Sequence, residues 1–224
     1  MHLTRQGRET QTIPRNAPPL YNLADKGFMF WDGRVSYDGF EFKTPEIGLN
    51  GEYPKFSAIT SALDDAASAQ ALFPPTSHSE MRGSGNELAD AKTNIEVWKL
   101  IMLRLMKQEN YKSLFSKAFP KASEFNIGHF GSALGHFQIH EFSITDTPWD
   151  RYLRGDKDAL TYKQKLGAEV FFTKGRCVNC HSGSSLGGNN FRNIAAPQIG
   201  PGQDIEKNDE GRFLITGTRR DRYR

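Results

Sequence analysis

The sequence predicts an all-α fold with long irregular loops. Two stretches repeat apolar side chains at helical spacing: Ile95, Trp98, Met102 and Leu105 in one, and Ile127, Phe130, Leu134 and Phe137 in the other. No region alternates strands with helices in the βαβ manner. The 21 glycines and 11 prolines spread over 224 residues leave long segments that cannot be regular.

Each element has its own reason. Residues 1–27 read as irregular because Pro14, Pro18 and Pro19 interrupt them. Residues 28–58, rich in Gly, Pro and aromatics, read as loop with short extended pieces. Ala58 to Leu72 is alanine-rich and predicts a helix, which Pro74-Pro75 stops. Thr93 to Gln108 is the clearest helix, with Glu96 in its first turn. A short helix is expected over Tyr111 to Ala118, ended by Pro120, and a longer one from Ser123 to Phe142. Ser143 to Lys157 carries turn residues and Pro148, and reads as a connection between two domains, 1–145 and 146–224. A last helix is expected from Thr161 to Phe172, with nearly all loop beyond Gly183. There is no internal repeat.

Composition excludes some classes. The formal net charge of +3 is too small to argue for a nucleic-acid partner. Arg219, Arg220, Arg222 and Arg224 crowd the end, but Asp221 interrupts them. No apolar run approaches 18 residues, so no transmembrane segment is expected.

The motif that carries chemistry is Cys177-Val178-Asn179-Cys180-His181. C-x-x-C-H is the attachment signature of c-type haem. Two thiols two residues apart can form thioethers to the two vinyl groups of one haem, and the following histidine becomes the proximal iron ligand. Both cysteines of the chain lie in this motif, so no thiol remains for a disulfide framework. Zinc is the competing reading, but a structural zinc site needs four ligands and there is no second Cys pair. A bare redox dithiol is another, but its βαβ context is missing. If haem is right, the fold is expected to be cytochrome c-like, with the apolar haem face replacing part of a side-chain core, and the terminal arginines read as a solvated or propionate-facing loop. Covalent haem is attached outside the cytoplasmic membrane, yet Met1 to Arg15 is polar and basic with no apolar export core.

His129, His136 and His140 fall on one helical stripe, and His136 with His140 could chelate a transition metal. Three partly exposed histidines on a solvated face is the simpler reading. His78 reads as a loop residue.

Four further phrases stand in order before the motif: Arg15-Asn16-Ala17-Pro18, then Phe30-Trp31-Asp32-Gly33-Arg34, then Gln70-Ala71-Leu72-Phe73-Pro74 with Glu80-Met81-Arg82-Gly83, then Pro148-Trp149-Asp150-Arg151-Tyr152-Leu153. With the C-x-x-C-H they resemble the bacterial di-haem cytochrome c peroxidase family, including its MauG-like branch, over nearly the whole chain. The resemblance implies two mostly helical c-type haem domains, the upstream haem reacting with hydrogen peroxide and the downstream one accepting electrons from a soluble donor, a cytochrome c or a cupredoxin. It places Cys177, Cys180 and His181 at the electron-transfer haem, Trp31 between the haems on the electron path, and Gln70 and Glu80 in the peroxide pocket. It makes Asn16 a ligand of an inter-domain calcium ion and His2 a candidate distal ligand of the upstream haem. It further implies a periplasmic enzyme, in some members a homodimer. On residue type alone Trp31 also reads as a core aromatic and Glu80 as a surface residue. Glu80 is nonetheless of the right type to move a proton between the two peroxide oxygens, a general acid–base contribution of about 10²–10⁴-fold.

The chain departs from the family pattern. No cysteine precedes Cys177, so the upstream C-x-x-C-H is absent, and residues 35–69 are longer than the matching stretch of the simplest members. The expectation is a fragment of a longer protein, its export signal upstream, and by itself inactive as a peroxidase. An oxidase of the MauG kind acting on a protein substrate, or a mono-haem electron carrier, are the alternatives.

Overall fold

The computed structural model describes residues 15–44, 58–188, 190–195, 197–198 and 208–223. These residues are mostly helical, as the periodicity predicts, but they are not all-α. The extended pieces after residue 27 pair into a small antiparallel sheet, β1 (Phe28–Met29), β2 (Val35–Tyr37) and β3 (Phe42–Lys43), in the order β1-β2-β3. Phe28 stands opposite Ser36, and Ser36 opposite Lys43. Two turns make the pairing possible. Gly33, with φ +64°, reverses the chain between β1 and β2. Asp38 closes the second turn by accepting from the backbone N–H groups of Phe40 (3.0 Å) and Glu41 (2.9 Å). Strands of two or three residues are too short to leave an alternating pattern in the sequence.

The alanine-rich stretch is two pieces rather than one helix. Residues 58–60 are helical, 61–65 turn, and α1 (Ala66–Gln70) starts afresh because Asp65 caps it, accepting from Ser68 N at 2.7 Å. Helix α2 (Asn94–Met106) is capped by Thr93, whose hydroxyl accepts from Glu96 N at 3.2 Å. Its buried residues are Val97, Trp98 and Met102. The expected Ile95 is exposed and Val97 takes its place, because the helix turns a slightly different face inward. Trp98 also satisfies its indole N–H, donating to the Leu72 carbonyl at 2.8 Å. Helix α3 (Glu109–Ala118) follows.

Helix α4 (Ile127–Phe142) starts later than Ser123, where the Asn126 side chain accepts from Gly128 N at 2.9 Å. Its buried face corrects the periodicity reading. Apart from Ile127 the buried residues are Gly128, Gly131, Ser132 and Gly135, whereas Phe137 is 55% exposed. Small residues face α1 because the two backbones come together: a Cβ on Gly131 would stand 2.6 Å from the Ser68 carbonyl oxygen.

The main core joins Leu23, Met29, Val35, Leu72, Phe73, Trp98, Met102, Phe115 and Ile127. All of it precedes residue 146. Three further helices follow: α5 (Pro148–Leu153), α6 (Tyr162–Phe172) and α7 (Phe213–Thr216). Helix α5 lies inside the stretch expected to be a bare connection; Pro148 at its first turn and a reciprocal Thr147–Asp150 cap start it there. Among the described residues after 145, Leu160 is the one buried apolar side chain. No helix among the described residues is long and apolar enough to cross a membrane.

Candidate functional site

Helix α6 delivers the C-x-x-C-H motif. The chain leaves the helix in a tight turn, Gly175 N donating to Val170 O at 2.7 Å, and a Cβ on Gly175 would stand 2.6 Å from that same oxygen. Arg176 then adopts a left-handed conformation (φ 54°), and Cys177–Asn179 form one 3₁₀ turn. The Cys177 carbonyl accepts from both Cys180 N (3.1 Å) and His181 N (2.8 Å), which fixes the two cysteines and the histidine on one compact turn. Both thiols are free and exposed. His181 is exposed too, with its ring centroid 6.3 Å from that of Phe171.

These residues fit a covalently held haem. Neither thiol is in a disulfide, and both are accessible. In the same stretch of sequence Leu153, Tyr162, Leu166, Val170, Phe172, Ile194 and Leu214 leave apolar surface exposed, and among the described residues after 145 only Leu160 is a buried apolar side chain. A large apolar cofactor face is the kind of partner such surface lacks. The zinc reading gains nothing: no cluster of three or more His, Cys, Asp or Glu able to hold a metal ion occurs among the described residues.

The upstream residues singled out by sequence lie on three elements. Trp31 occupies the β1–β2 turn and is 62% exposed, so the core-aromatic reading does not hold for it. Gln70 is buried at the C-terminal end of α1. Glu80 is exposed on a π-type turn, His78–Arg82, that follows a 3₁₀ turn at Pro74–Thr76. Arg82 ties that turn down, donating through Nε to the Leu88 carbonyl at 2.7 Å. Asn16 is exposed beside Arg15, and His2 lies outside the described residues.

The histidine stripe resolves into separate local contacts. His129 Nδ1 accepts from Asn126 N at 3.2 Å as part of the α4 cap, and burial pushes its imidazole below the usual value. His136 Nε2 lies 3.3 Å from Asp64, and His140 Nδ1 3.0 Å from Glu141. His78, expected in a loop, is the first residue of the π-type turn, and its Nδ1 lies 3.2 Å from the Gly83 carbonyl oxygen.

One cluster was not legible as a cluster. Arg15 reaches both oxygens of Asp209, through Nε at 2.6 Å and Nη2 at 2.7 Å, and through Nη1 it also bonds the buried Asp32 carboxylate. Asp209 holds the Arg15 guanidinium above its ordinary pKa despite burial, and Arg15 holds the Asp209 carboxyl below its own. Arg212 adds donation to the Asp32 carbonyl at 3.1 Å. Arg15 and Asp32 stand in quoted phrases, but a separation of 194 residues between Arg15 and Asp209 leaves no periodic signal.

The chain is similar to known proteins over most of its length. The model of the family described as di-haem cytochrome c peroxidase matches residues 1–158. The chain is 28% identical to cytochrome c551 peroxidase of Pseudomonas aeruginosa over 222 residues, 98% of this chain and 51% of that protein. It is 27% identical to cytochrome c peroxidase Ccp of Escherichia coli, over 94% of this chain and 36% of that protein. It is 28% identical to methylamine utilization protein MauG of Methylorubrum extorquens, over 81% of this chain and 39% of that protein. The chain thus spans about half the length, or less, of these curated relatives. Because the family match covers residues 1–158, well over half of the sequence, the chain belongs to the di-haem cytochrome c peroxidase family.

Proposed function

We propose that the protein containing this chain is a cytochrome c peroxidase. It reduces one hydrogen peroxide to two waters, consuming two protons and two electrons from a small donor protein, a cytochrome c or a cupredoxin. The observation that carries this reading is the Cys177–His181 turn, which displays two free thiols and an imidazole in a segment whose described residues bury one apolar side chain, within a chain of this family.

In this reading residues 146–224 begin the electron-transfer haem domain and residues 1–145 belong to the peroxidatic one. Cys177 and Cys180 would hold the haem through thioethers, and His181 would offer its imidazole to the iron. When bound, the haem supplies an iron that takes up and hands on single electrons. Trp31, an exposed indole on the β1–β2 turn, lies on the electron path. Gln70 orients peroxide by hydrogen bonding, and Glu80 moves a proton from the near to the far peroxide oxygen. The exposure of Glu80 gives it access to solvent protons. Asn16 contributes a side-chain oxygen to a calcium ion, which favours oxygen donors. The setting is the periplasm, outside the membrane, where covalent haem is attached, and the working form can be a homodimer.

The test is the whole protein, matured in a host that attaches haem covalently, mixed with a reduced donor and peroxide. Two donor equivalents oxidised per peroxide is the expected result. Haem-loaded protein that oxidises neither a cytochrome c nor a cupredoxin in response to peroxide overturns the reading. The similarity to MauG supports a second reading, an oxidase that draws electrons from a protein substrate. Peroxide-dependent oxidation of a protein side chain without donor turnover would select it.

A further inference from the structure

The chain that follows the haem motif returns to the β1–β2 turn at two points. At the first, Arg212 Nη1 donates to the carbonyl oxygens of Asp32 (3.1 Å) and Gly33 (3.3 Å). The same guanidinium lies 4.1 Å from the ring centroid of Phe191 and 5.2 Å from that of Phe28, and the two rings meet edge to face at 5.2 Å. At the second, Arg15 bridges Asp209 and the Asp32 carboxylate. Asp32 also accepts from the backbone N–H of Arg34 at 3.1 Å. The turn is shaped for this approach: Gly33 has φ +64°, and a Cβ there would stand 2.5 Å from Arg212 Nη1.

An isolated surface ion pair contributes little. This arrangement differs from one in three ways. Asp32 is 3% exposed, so its charge requires its partners. The Arg212 contacts combine donation to two carbonyls with stacking on two rings, which a lysine cannot reproduce. And the residue immediately before Asp32 is Trp31. The side chain of Trp31 is exposed, while the backbone beside it is gripped by residues from the far end of the chain.

We propose that Arg212 and Arg15 are positioning residues that latch the segment following Cys177–His181 onto the Trp31 turn, and so set the gap that electrons cross between the two haem domains. The inference rests on Trp31 lying on the electron path, as proposed above. Tunnelling rates fall steeply with separation, so a latch that removes slack between the two segments acts on the rate without touching a reacting atom.

The test uses the whole haem-loaded protein and the variants R212A, R212K, D209N and W31F. Three quantities are read: amide hydrogen exchange in residues 27–37 and 208–217, the rate of electron transfer between the haems after mixing with reduced donor, and the two haem potentials. R212A is expected to raise exchange in both segments and slow inter-haem transfer, each by about tenfold or more, with unchanged potentials. R212K should recover part of the rate, since one charged donor remains. D209N repeats the effect in weaker form and serves in place of R212A should that variant fail to fold. W31F should slow transfer without raising exchange. Unchanged exchange in both R212A and D209N overturns the latch. Raised exchange with an unchanged transfer rate overturns the positioning role. A W31F protein with normal transfer overturns the electron-path reading instead, and leaves the exchange result to stand on its own.

Discussion

Ser68 and Gly135 meet where α1 crosses α4, and a Cβ on Gly135 would stand 2.7 Å from the Ser68 backbone nitrogen. The crossing exists because position 135 has no side chain. Ser68 is buried there, and its hydroxyl has no hydrogen-bond partner among the described residues. Two consequences of opposite sign follow for this one contact. Gly135→Ala should destabilise the protein by about 1–3 kcal/mol, since the obstacle is backbone and cannot move aside cheaply. Ser68→Ala, which removes an unpaired buried hydroxyl, should leave stability unchanged or raise it by about 1 kcal/mol. Thermal melts of the two variants check both, and a stabilised Gly135→Ala protein would contradict the packing described.

Haem attachment should fail without the two thiols. Cys177→Ser or Cys180→Ser should sharply reduce haem that survives a denaturing gel, and the double variant should retain none. Normal haem staining of the double variant would remove the attachment site from consideration.

Glu80→Gln should lower the rate of peroxide turnover by about 10²–10⁴-fold, because the amide keeps the shape and loses the transferable proton. Haem content and donor binding should be unaltered. A pre-steady-state mix of peroxide with the reduced protein reads the step directly; a loss below threefold would place the proton carrier elsewhere.

The Arg15–Asp209 contact should be acid-sensitive. Arg15 holds the Asp209 carboxyl below its ordinary pKa. A carboxyl with a depressed native pKa binds fewer protons folded than unfolded, so stability rises with pH through that interval. The contribution is therefore complete above about pH 4, the ordinary aspartate range, and is lost as pH falls through the lower folded value. Asp209→Asn should be less stable than the native protein at neutral pH, and the two should converge as pH falls below that range. Melting curves at stepped pH measure this, and a constant difference at all pH values would show that Asp209 does not act through its charge.

Local rules made part of this molecule readable from sequence. Helix α2 was legible because its cap, Thr93, and its apolar spacing act within a dozen residues. The C-x-x-C-H turn was legible because covalent chemistry constrains its spacing. The sheet was not, since strands of two or three residues carry no period. The packing face of α4 was read only in part: Ile127 and Phe130 do pack on the core, but Phe137 is exposed, and the neighbouring helix selects Gly131 and Gly135 for closeness. The Arg15–Asp209 pair was out of reach for a different reason: both residues are ordinary surface types, and folding alone makes them neighbours.

The uneven core carries a consequence for biogenesis. With Leu160 the one buried apolar side chain among the described residues after 145, the proposed haem should contribute much of the downstream segment's compactness. On the proposed function, a polypeptide that has not yet acquired haem should therefore be half finished, its first part resistant to digestion and its second part a substrate for proteases. Degradation would then act as proofreading, clearing copies that never acquired iron before they could compete for the electron donor. Limited digestion of apo and holo protein should cut the former first beyond residue 145, and equal cutting of both would mean that the downstream segment holds itself together unaided.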